Sequence, residues 1–355
     1  MSTPDETRPV RAEDAVDVGA VVGWLRAEAG DRDIPAGQPE LRQFPGGASN
    51  LTYLLRWPGR ELILRRPPRG AKARGAHDMG REHLIQKALG PVYPYVAGMV
   101  GLCRDESVIG SDFYVMERLV GLILRKDLPF ELSPDAASRL CGNAWAALVR
   151  LHEVDVSAVP ELAGLGRGEG YVARQVAGWA DRLHGAATAD LGDWADLTTW
   201  LDEHQPPDAG SCLIHNDWRF DNMVLDPDDE LSVTGVLDWE MATVGDPLMD
   251  LGGALAYWIQ ADDDAFFRGF RRQPTTAPGM WRREQVVDWY CARRGIAMDL
   301  GQWRFYEAFG LFRLAVIIQQ IWYRFVEGQT SNPAYAGFGE AVRYLEQRTR
   351  RVVRA

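Results

Sequence analysis

The spacing of hydrophobic positions changes about a third of the way along the chain. Up to residue 120 the apolar runs are short and end at turn-forming residues, a pattern that predicts β-strands. Residues 51–57 and 61–66 form two predicted strands joined by a Pro-Gly turn, and residues 112–119 form a third. Helical spacing occurs at residues 78–89 and in an amphipathic segment near the N-terminus. This first part is therefore predicted to be mostly an antiparallel sheet.

Beyond residue 120 the apolar residues recur mainly at helical spacing. Six segments have this pattern: residues 136–152, 170–183, 191–201, 281–293, 303–325 and 337–353. A β-rich insert interrupts them at residues 212–215, 223–225 and 232–238. The pattern predicts an α+β protein with an antiparallel-sheet lobe, residues 1–120, and a mainly helical lobe, residues 121–355, with polar clusters at their junction.

Composition is typical of a globular protein, with 46% hydrophobic and 25% charged residues among 355. The most apolar stretch, residues 314–323, contains Gln319 and Gln320 and is too short to span a bilayer. The N-terminus has no signal-like apolar run, and the four cysteines have no metal-binding spacing. We therefore expect a cytoplasmic protein with reduced thiols and no membrane partner.

The net charge of −11 is distributed unevenly. Residues 1–120 are balanced, residues 121–275 carry −16, and residues 276–355 carry +5. Non-specific nucleic-acid binding needs a basic surface, so this distribution argues against a nucleic-acid partner. An acidic middle segment could attract cationic ligands or metal ions, or could simply keep the protein in solution.

One polar pattern follows two predicted strands of the insert. The apolar residues Leu213 and Ile214 lead into His215-x-Asp217, Asn222 lies five residues beyond that aspartate, and Asp238 ends the second apolar strand. This is the order and spacing of a protein-kinase catalytic loop, followed by the metal-binding aspartate of such enzymes.

Phosphoryl transfer explains why these residue types are needed. A carboxylate must orient the acceptor hydroxyl and take its proton, a role that suits Asp217. Mg²⁺ prefers oxygen ligands, which Asn222 and Asp238 can supply. The three side chains are expected to converge at the cleft between the lobes, with Asp217 as the catalytic base.

The motifs HNDWRFDN and VLDWEMATVGDPLMDLG resemble the aminoglycoside phosphotransferase and choline kinase superfamily. Within it, LRQFPGGASNLTYLL, ELILRRPP and ALVRLHEVD resemble the phosphotransferase domain fused to acyl-CoA dehydrogenases. The resemblance covers roughly residues 40–325. It implies a two-lobed protein-kinase-like fold, ATP and Mg²⁺ as cofactors, and a small-molecule hydroxyl as the acceptor.

The resemblance also assigns nucleotide-binding residues to the first lobe. The loop before the 51–57 strand is expected to cover the phosphates through Gly47, Ser49 and Asn50. The end of the third predicted strand should form the hinge against adenine. Its expected contacts are Met116, Glu117 and Leu119.

A phosphate-binding lysine is replaced in this sequence by two arginines, Arg65 and Arg66. Side chains alternate along a strand, so only one of them can face the nucleotide. The family alignment favours Arg65, with Glu82 on the following helix as its ion-pair partner. Arginine remains charged and binds phosphate oxygens bidentately, so the replacement is chemically reasonable.

The remaining site assignments concern support and the acceptor. His215 is expected to brace the catalytic loop, and Asp246 and Asp250 are expected to cap backbone amides near it. The acceptor pocket is expected in the helical lobe, near Tyr257, Trp258 and Arg313. None of these assignments follows from spacing alone.

Two acceptor classes compete. An aminoglycoside would favour the acidic middle segment, whereas a hydroxyacyl-CoA would favour basic and apolar residues. The resemblance to the fused domain, with the arginines at positions 69, 74, 271 and 272, favours an acyl-CoA or another metabolic alcohol. Choline-like and sugar acceptors, the choice between ATP and GTP, and the oligomeric state stay open.

Two other functions remain as alternatives. A metal-dependent hydrolase would use His215, Asp217 and Asp238, but a second histidine is missing and the position of Asn222 is that of a kinase. A pseudokinase that binds ATP without turnover is favoured by Arg65 and opposed by the retained Asp217, Asn222 and Asp238.

Overall fold

The structure is a computed structural model that describes residues 7–27, 33–45, 50–68, 78–226, 228–229 and 231–355. The chain divides into two compact units. The first contains Met1–Ile123 together with Asn222–Met241, and the second contains Leu124–Asp221 together with Ala242–Ala355. The segment that carries Asn222 and Asp238 thus belongs to the unit that contains the N-terminal sheet.

The first unit is built on a five-stranded antiparallel sheet. In chain order its elements are α1 (Val18–Ala27), β1 (Glu40–Gln43), β2 (Leu51–Trp57), β3 (Arg60–Arg66), α2 (Met79–Leu89), β4 (Met99–Cys103), α3 (Glu106–Ile109) and β5 (Phe113–Glu117). The strand order is β1-β2-β3-β5-β4. Gly59, at a φ of 78°, makes the tight turn between β2 and β3, a left-handed conformation that glycine adopts readily.

Alternating side chains give this sheet two apolar faces. On one face, residues such as Tyr53 and Leu64 are buried against Val21 and Leu25 of α1. On the other, Leu54, Ile63 and Met116 pack with Met79 of α2, among others. Neighbouring positions on one strand therefore face different helices.

A hairpin from later in the sequence completes this unit. Its strands are β7 (Met223–Leu225) and β8 (Val233–Val236), which pair antiparallel. A bridge between Leu122 and Leu225 and a hydrogen bond from Val236 N to Tyr95 O, 2.7 Å, connect the hairpin to the preceding chain.

The second unit is mainly helical. Its elements are α4 (Pro134–His152), α5 (Pro160–Ala163), α6 (Tyr171–Gly185), α7 (Ala195–Glu203), β6 (Cys212–Ile214), β9 (Thr243–Gly245), α8 (Pro247–Leu255), α9 (Ala265–Gly269), α10 (Arg283–Arg294), α11 (Leu300–Val326) and α12 (Phe338–Arg354). Strands β6 and β9 pair antiparallel. Helices α8 and α11 meet at glycines, because a Cβ on Gly310 would lie 2.2 Å from the carbonyl oxygen of Gly252.

The predicted α+β class is confirmed, with a five-stranded antiparallel sheet followed by a largely helical part. Two strands of this sheet, and also β9 in the second unit, were not predicted. Strand β1 has the polar sequence ELRQ, and β4 contains Gly101 and is only partly buried, so neither has a clear alternating pattern. In the described part of the chain, no helix is long and apolar enough to cross a membrane.

Candidate functional site

The loop that carries His215 and Asp217 begins at a fully buried strand. Strand β6 pairs with β9 and ends at Ile214, so the polar residues emerge directly from the interior. Asn216 has a φ of 65°, a left-handed conformation that turns the chain sharply. The amide of Asp217 donates to Nδ1 of the buried His215 at 3.2 Å. The imidazole thus supports the backbone of Asp217.

Asp250, on α8, also supports the backbone of this loop. Its carboxylate accepts hydrogen bonds from the amides of His215, 2.8 Å, and Asn216, 2.7 Å. Nε2 of His152 lies 3.1 Å from the same carboxylate, and Nδ1 lies 2.6 Å from the hydroxyl of Tyr290. Burial by itself would raise the pKa of Asp250, but the bonds from His152 and from the His215 amide lower it below its usual value.

Asp246 has a different structural position. It is the N-cap of α8, where it accepts from the amides of Leu248 and Met249, and it also accepts from the amide of Ala209. Burial raises its pKa despite these bonds. Asp246 therefore fixes the start of the helix whose next turn presents Asp250.

Asp217 lies beside a short network of charged side chains. Its Oδ2 is 3.1 Å from Nη2 of Arg219, whose Nε is 3.3 Å from Oδ1 of Asp221. The guanidinium of Arg219 stacks over the ring of Tyr257, 5.1 Å from its centre. Burial raises the pKa of Asp221, with Arg219 acting in the opposite direction. Arg219 thus connects Asp217 to Tyr257.

The other two predicted acceptor residues lie in packed positions. Trp258 is 4% exposed, packs against Trp145 and Phe220, and donates to the carbonyl of Trp281. Arg313 is buried and donates to the carbonyl of Asn216 at 2.8 Å, so it supports the turn of the loop.

In the first unit, Asn222 and Asp238 stand at the same end of the β7–β8 hairpin. The amide of Leu237 donates to the carbonyl of Asn222 at 2.8 Å, which places the two oxygen-bearing residues on adjacent stretches of chain. Asp238 has a φ of 65° and a partly exposed carboxylate. Asn222 is buried.

Arg65 lies between two carboxylates. Its Nη2 atom is 3.4 Å from Oε1 of Glu82 on α2 and 3.4 Å from Oδ1 of Asp238. Burial raises the pKa of Glu82, and the cation of Arg65 opposes that rise. Arg66 points to the other face of the sheet, where it contacts the hydroxyl of Tyr53 and the carbonyl of Asp14.

Asn50 is also held by a carboxylate. Its amide donates to Oε2 of Glu240 at 3.0 Å, and the carbonyl of Glu240 accepts from Arg81 at 3.0 Å. The predicted contacts Gly47 and Ser49 lie outside the described residues.

Two of the predicted hinge residues, Met116 and Glu117, end β5, and Leu119 follows it. Met116 is buried in the α2 face of the sheet, and Leu119 packs against the same cluster. The exposed Glu117 pairs with Arg60 at 2.8 Å, and its amide donates to the carbonyl of Gly98. Strands β3 and β4 pair with β5 on either side at Met116, so the sheet fixes the backbone there.

Asn222 and Asp238, at the end of the β7–β8 hairpin, are suited to bind a magnesium ion together with nucleotide phosphates. Their donor set is one carboxylate and one amide oxygen, both hard ligands. No group of three or more His, Cys, Asp or Glu side chains suited to a metal is found in the described ranges. A magnesium ion that takes its remaining ligands from phosphates and water does not require such a group.

Sequence reasoning missed several residues of the contact networks in the two units: His152, Arg219, Asp221 and Tyr290 in the second, and Glu240 in the first. Arg219 and Asp221 lie within the HNDWRFDN motif and could have been found from it. His152 and Tyr290 are 138 positions apart, and only their 2.6 Å contact identifies the pair.

Comparison with known proteins gives consistent results. The model of the family described as "Phosphotransferase enzyme family" matches residues 40–285. Acyl-CoA dehydrogenase family member 10 of Mus musculus is 36% identical over 92% of this chain and 30% of that protein. The chain spans less than half the length of the curated relatives that it matches.

Solved structures resemble the whole chain. The crystal structure of a protein from Ralstonia eutropha JMP134, assigned to the aminoglycoside phosphotransferases, superposes with a TM-score of 0.81 at 30% identity and covers 96% of this chain and 99% of that one. The ternary complex of streptomycin, ATP and APH(2″)-IIa is similar in fold, with a TM-score of 0.56 at 16% identity, over 86% of this chain and 90% of that one. The predicted protein-kinase-like fold is thereby confirmed.

Proposed function

The chain belongs to the phosphotransferase enzyme family, and on that premise we propose that it is an ATP- and Mg²⁺-dependent kinase that phosphorylates a hydroxyl group of a small molecule. The observation that carries this proposal is the set of contacts around Asp238. Arg65, a cation suited to phosphate oxygens, lies 3.4 Å from the carboxylate of Asp238, which is suited to a metal. It also lies 3.4 Å from the buried carboxylate of Glu82, which holds the guanidinium in place. These are the groups that a kinase needs at its triphosphate.

In the proposed nucleotide site, Asp238 and Asn222 provide oxygen ligands for the metal. Arg65 donates its N–H groups to phosphate oxygens, and Glu82 keeps its guanidinium in place. When bound, magnesium ATP supplies the phosphoryl group and the positive charge that offsets the negative charge of the phosphates. Gly47, Ser49 and Asn50 are proposed to contact the phosphates, and Met116, Glu117 and Leu119 to contact the adenine.

Asp217 is the proposed catalytic base. Its carboxylate accepts a hydrogen bond from the acceptor hydroxyl, directs the oxygen toward the γ-phosphorus and takes the hydroxyl proton as the new P–O bond forms. The bond between the γ-phosphorus and the β,γ-bridging oxygen breaks at the same time, and ADP leaves with that electron pair. The supports described for the loop, from His215, Asp250 and Arg313, hold the backbone of Asp217 so that little reorganisation is needed. Arg219, on the same carboxylate, orients it.

We propose a hydroxyacyl-CoA or a related metabolic alcohol as the acceptor. The support is the similarity to acyl-CoA dehydrogenase family member 10, together with the basic residues Arg271 and Arg272. Aminoglycosides are a second candidate, because the Ralstonia protein is assigned to that class and residues 121–275 are strongly acidic. Among the predicted acceptor residues, Tyr257 contacts Arg219, whose guanidinium pairs with the carboxylate of Asp217.

The test is an acceptor screen with purified protein, ATP and Mg²⁺. Hydroxyacyl-CoAs, aminoglycosides, choline and sugars are compared by ADP release and by a mass gain of one phosphate on the acceptor. Acceptor-dependent ADP release that disappears in Asp217→Asn supports the proposal. Tight magnesium-dependent ATP binding without phosphorylation of any acceptor would instead indicate a pseudokinase.

A further inference from the structure

The second unit contains a cavity of about 640 Å³ that has no part in the proposed phosphoryl transfer. It lies among α8, α10, α11 and α12 and the acidic segment Asp262–Asp264. Its described lining residues include none of the catalytic loop and neither Tyr257 nor Arg313. Any ligand of this cavity would therefore occupy a second site.

One wall of the cavity is fixed by a buried ion-pair network. Asp263 accepts from both terminal nitrogens of Arg283, at 2.7 and 2.9 Å, and from Arg348 at 2.8 Å. Arg283 also donates to the carbonyl of Trp258, and Arg348 donates to the hydroxyl of Tyr344. Both guanidiniums are therefore already engaged in intramolecular bonds, which hold this wall in one conformation.

A single stripe of α11 forms another part of the lining. Trp303, Glu307 and Leu311 are spaced four residues apart, so they project from the same helix face, and all three line the cavity. Gly252 and Leu255 of α8 add to the apolar surface. An aromatic ring and a carboxylate thus lie on one helix face together with apolar side chains.

Glu307 is the group in this cavity whose interactions are incomplete. It is partly buried, and its carboxylate makes no hydrogen bond or ion pair with any residue that the structure describes. Burial raises its pKa, opposed by the nearby charges of Arg283 and Arg348. A half-buried carboxylate without a donor costs free energy that a ligand could recover.

The group with incomplete interactions indicates the sign of the ligand. Five side-chain carboxylates and four guanidiniums line the cavity. Two of the carboxylates, Asp262 and Glu284, pair with Arg282, which does not line it. A monocation would meet both the Glu307 carboxylate and the face of the Trp303 indole. An apolar body would suit the side chains of Leu255 and Leu311 in the lining.

We propose that this cavity is a binding site for a small organic cation, one with an apolar body and a protonated amine, held by Glu307 and Trp303. The proposal does not depend on the kinase function, because the site shares no residue with it.

The test is an NMR titration of the full chain with 2-phenylethylamine, which is protonated at neutral pH, against 2-phenylethanol as its neutral counterpart. We expect saturable shifts of the Trp303 indole signal with the amine and at least about tenfold weaker binding of the alcohol. Glu307→Gln should weaken amine binding about tenfold, and Trp303→Leu about threefold. Equal binding of amine and alcohol, or unchanged affinity in Glu307→Gln, would overturn the proposal.

Two controls separate this site from others. Glu284→Gln removes a rim carboxylate that is 65% exposed and should change amine affinity less than about twofold. Asp217→Asn should leave amine binding intact, whereas loss of binding in that variant would place the amine at the proposed acceptor site and refute the second one. Melting curves of each variant establish that it is folded before the titration.

Discussion

Nη2 of Arg65 lies 3.4 Å from Oδ1 of Asp238, although the two residues are 173 positions apart in sequence. The same nitrogen is 3.4 Å from Glu82, so one cation is shared by two carboxylates. The contact with Arg65 holds the carboxylate of Asp238 in a defined position before any metal binds. The proposed metal ligand and the proposed phosphate ligand are therefore preorganised together.

Removing the Asp238 carboxylate should abolish magnesium-dependent nucleotide binding. In Asp238→Ala we expect ATP affinity in the presence of Mg²⁺ to fall at least about tenfold, because a charged oxygen ligand is lost. Isothermal titration calorimetry with and without Mg²⁺ measures this. Asp202→Ala, which removes an exposed carboxylate of α7, is the matched control. Wild-type affinity in Asp238→Ala would contradict the ligand role.

Neutralising Arg65 should affect stability and nucleotide binding separately. Arg65→Gln leaves Glu82 buried without its cation, which is expected to cost about 3–5 kcal/mol of unfolding free energy. The double variant Arg65→Gln/Glu82→Gln should recover much of that stability, because it no longer contains an unpaired buried carboxylate. Its ATP affinity should stay as low as in Arg65→Gln. Urea unfolding and ATP titration measure the two effects. Parallel recovery of stability and affinity would show that Arg65 acts only structurally.

Asp217→Asn should remove catalysis and leave the fold intact. The amide retains the shape of the side chain but cannot take the acceptor proton, so kcat should fall about 10²–10⁴-fold. ATP affinity and the melting temperature should stay within error of the wild type. A kcat within about threefold of the wild type would exclude Asp217 as the base.

Asp250 should stabilise the fold in a pH-dependent way. Its folded pKa is lowered, so its contribution is present above the unfolded value, about 3.9, and is lost as pH falls through the folded pKa. Asp250→Asn places an amide near two backbone N–H donors and should cost at least about 3 kcal/mol at neutral pH. Denaturant unfolding at pH 7 and pH 3 should show this cost shrinking at the lower pH. An equal cost at both values would contradict the role of the charge.

Glu307 should show the opposite pH dependence. Its folded pKa is raised, so the wild type gains relative stability as pH falls and loses it as pH rises through the folded pKa. Glu307→Gln should therefore melt at a higher temperature than the wild type at pH 8, with the difference disappearing below about pH 4. Glu284→Gln, on the exposed rim, should show little change at either pH. A lower melting temperature for Glu307→Gln at pH 8 would indicate that the carboxylate is already satisfied.

The sequence by itself determined the class of the fold and the motif of the site. Short apolar runs at residues 51–57 and 61–66 and helical spacing after residue 133 are local properties, and short-range patterns record them reliably. The order His215, Asp217, Asn222, Asp238 is likewise a feature of spacing. These patterns were sufficient to indicate an α+β protein and phosphoryl transfer.

Only the tertiary structure decided which residues meet. Arg65 and Arg66 are chemically identical neighbours, yet one faces Glu82 and Asp238 while the other packs beside Tyr53, because the pleat of β3 sends them to opposite faces. Tyr257 and its neighbour Trp258, in the turn after α8, also differ in their contacts, because Tyr257 lies against Arg219 and Trp258 packs in the core. The support of the proposed catalytic loop by Asp250 and His152 likewise joins distant segments. Such contacts depend on how whole helices and strands pack, which no local pattern encodes.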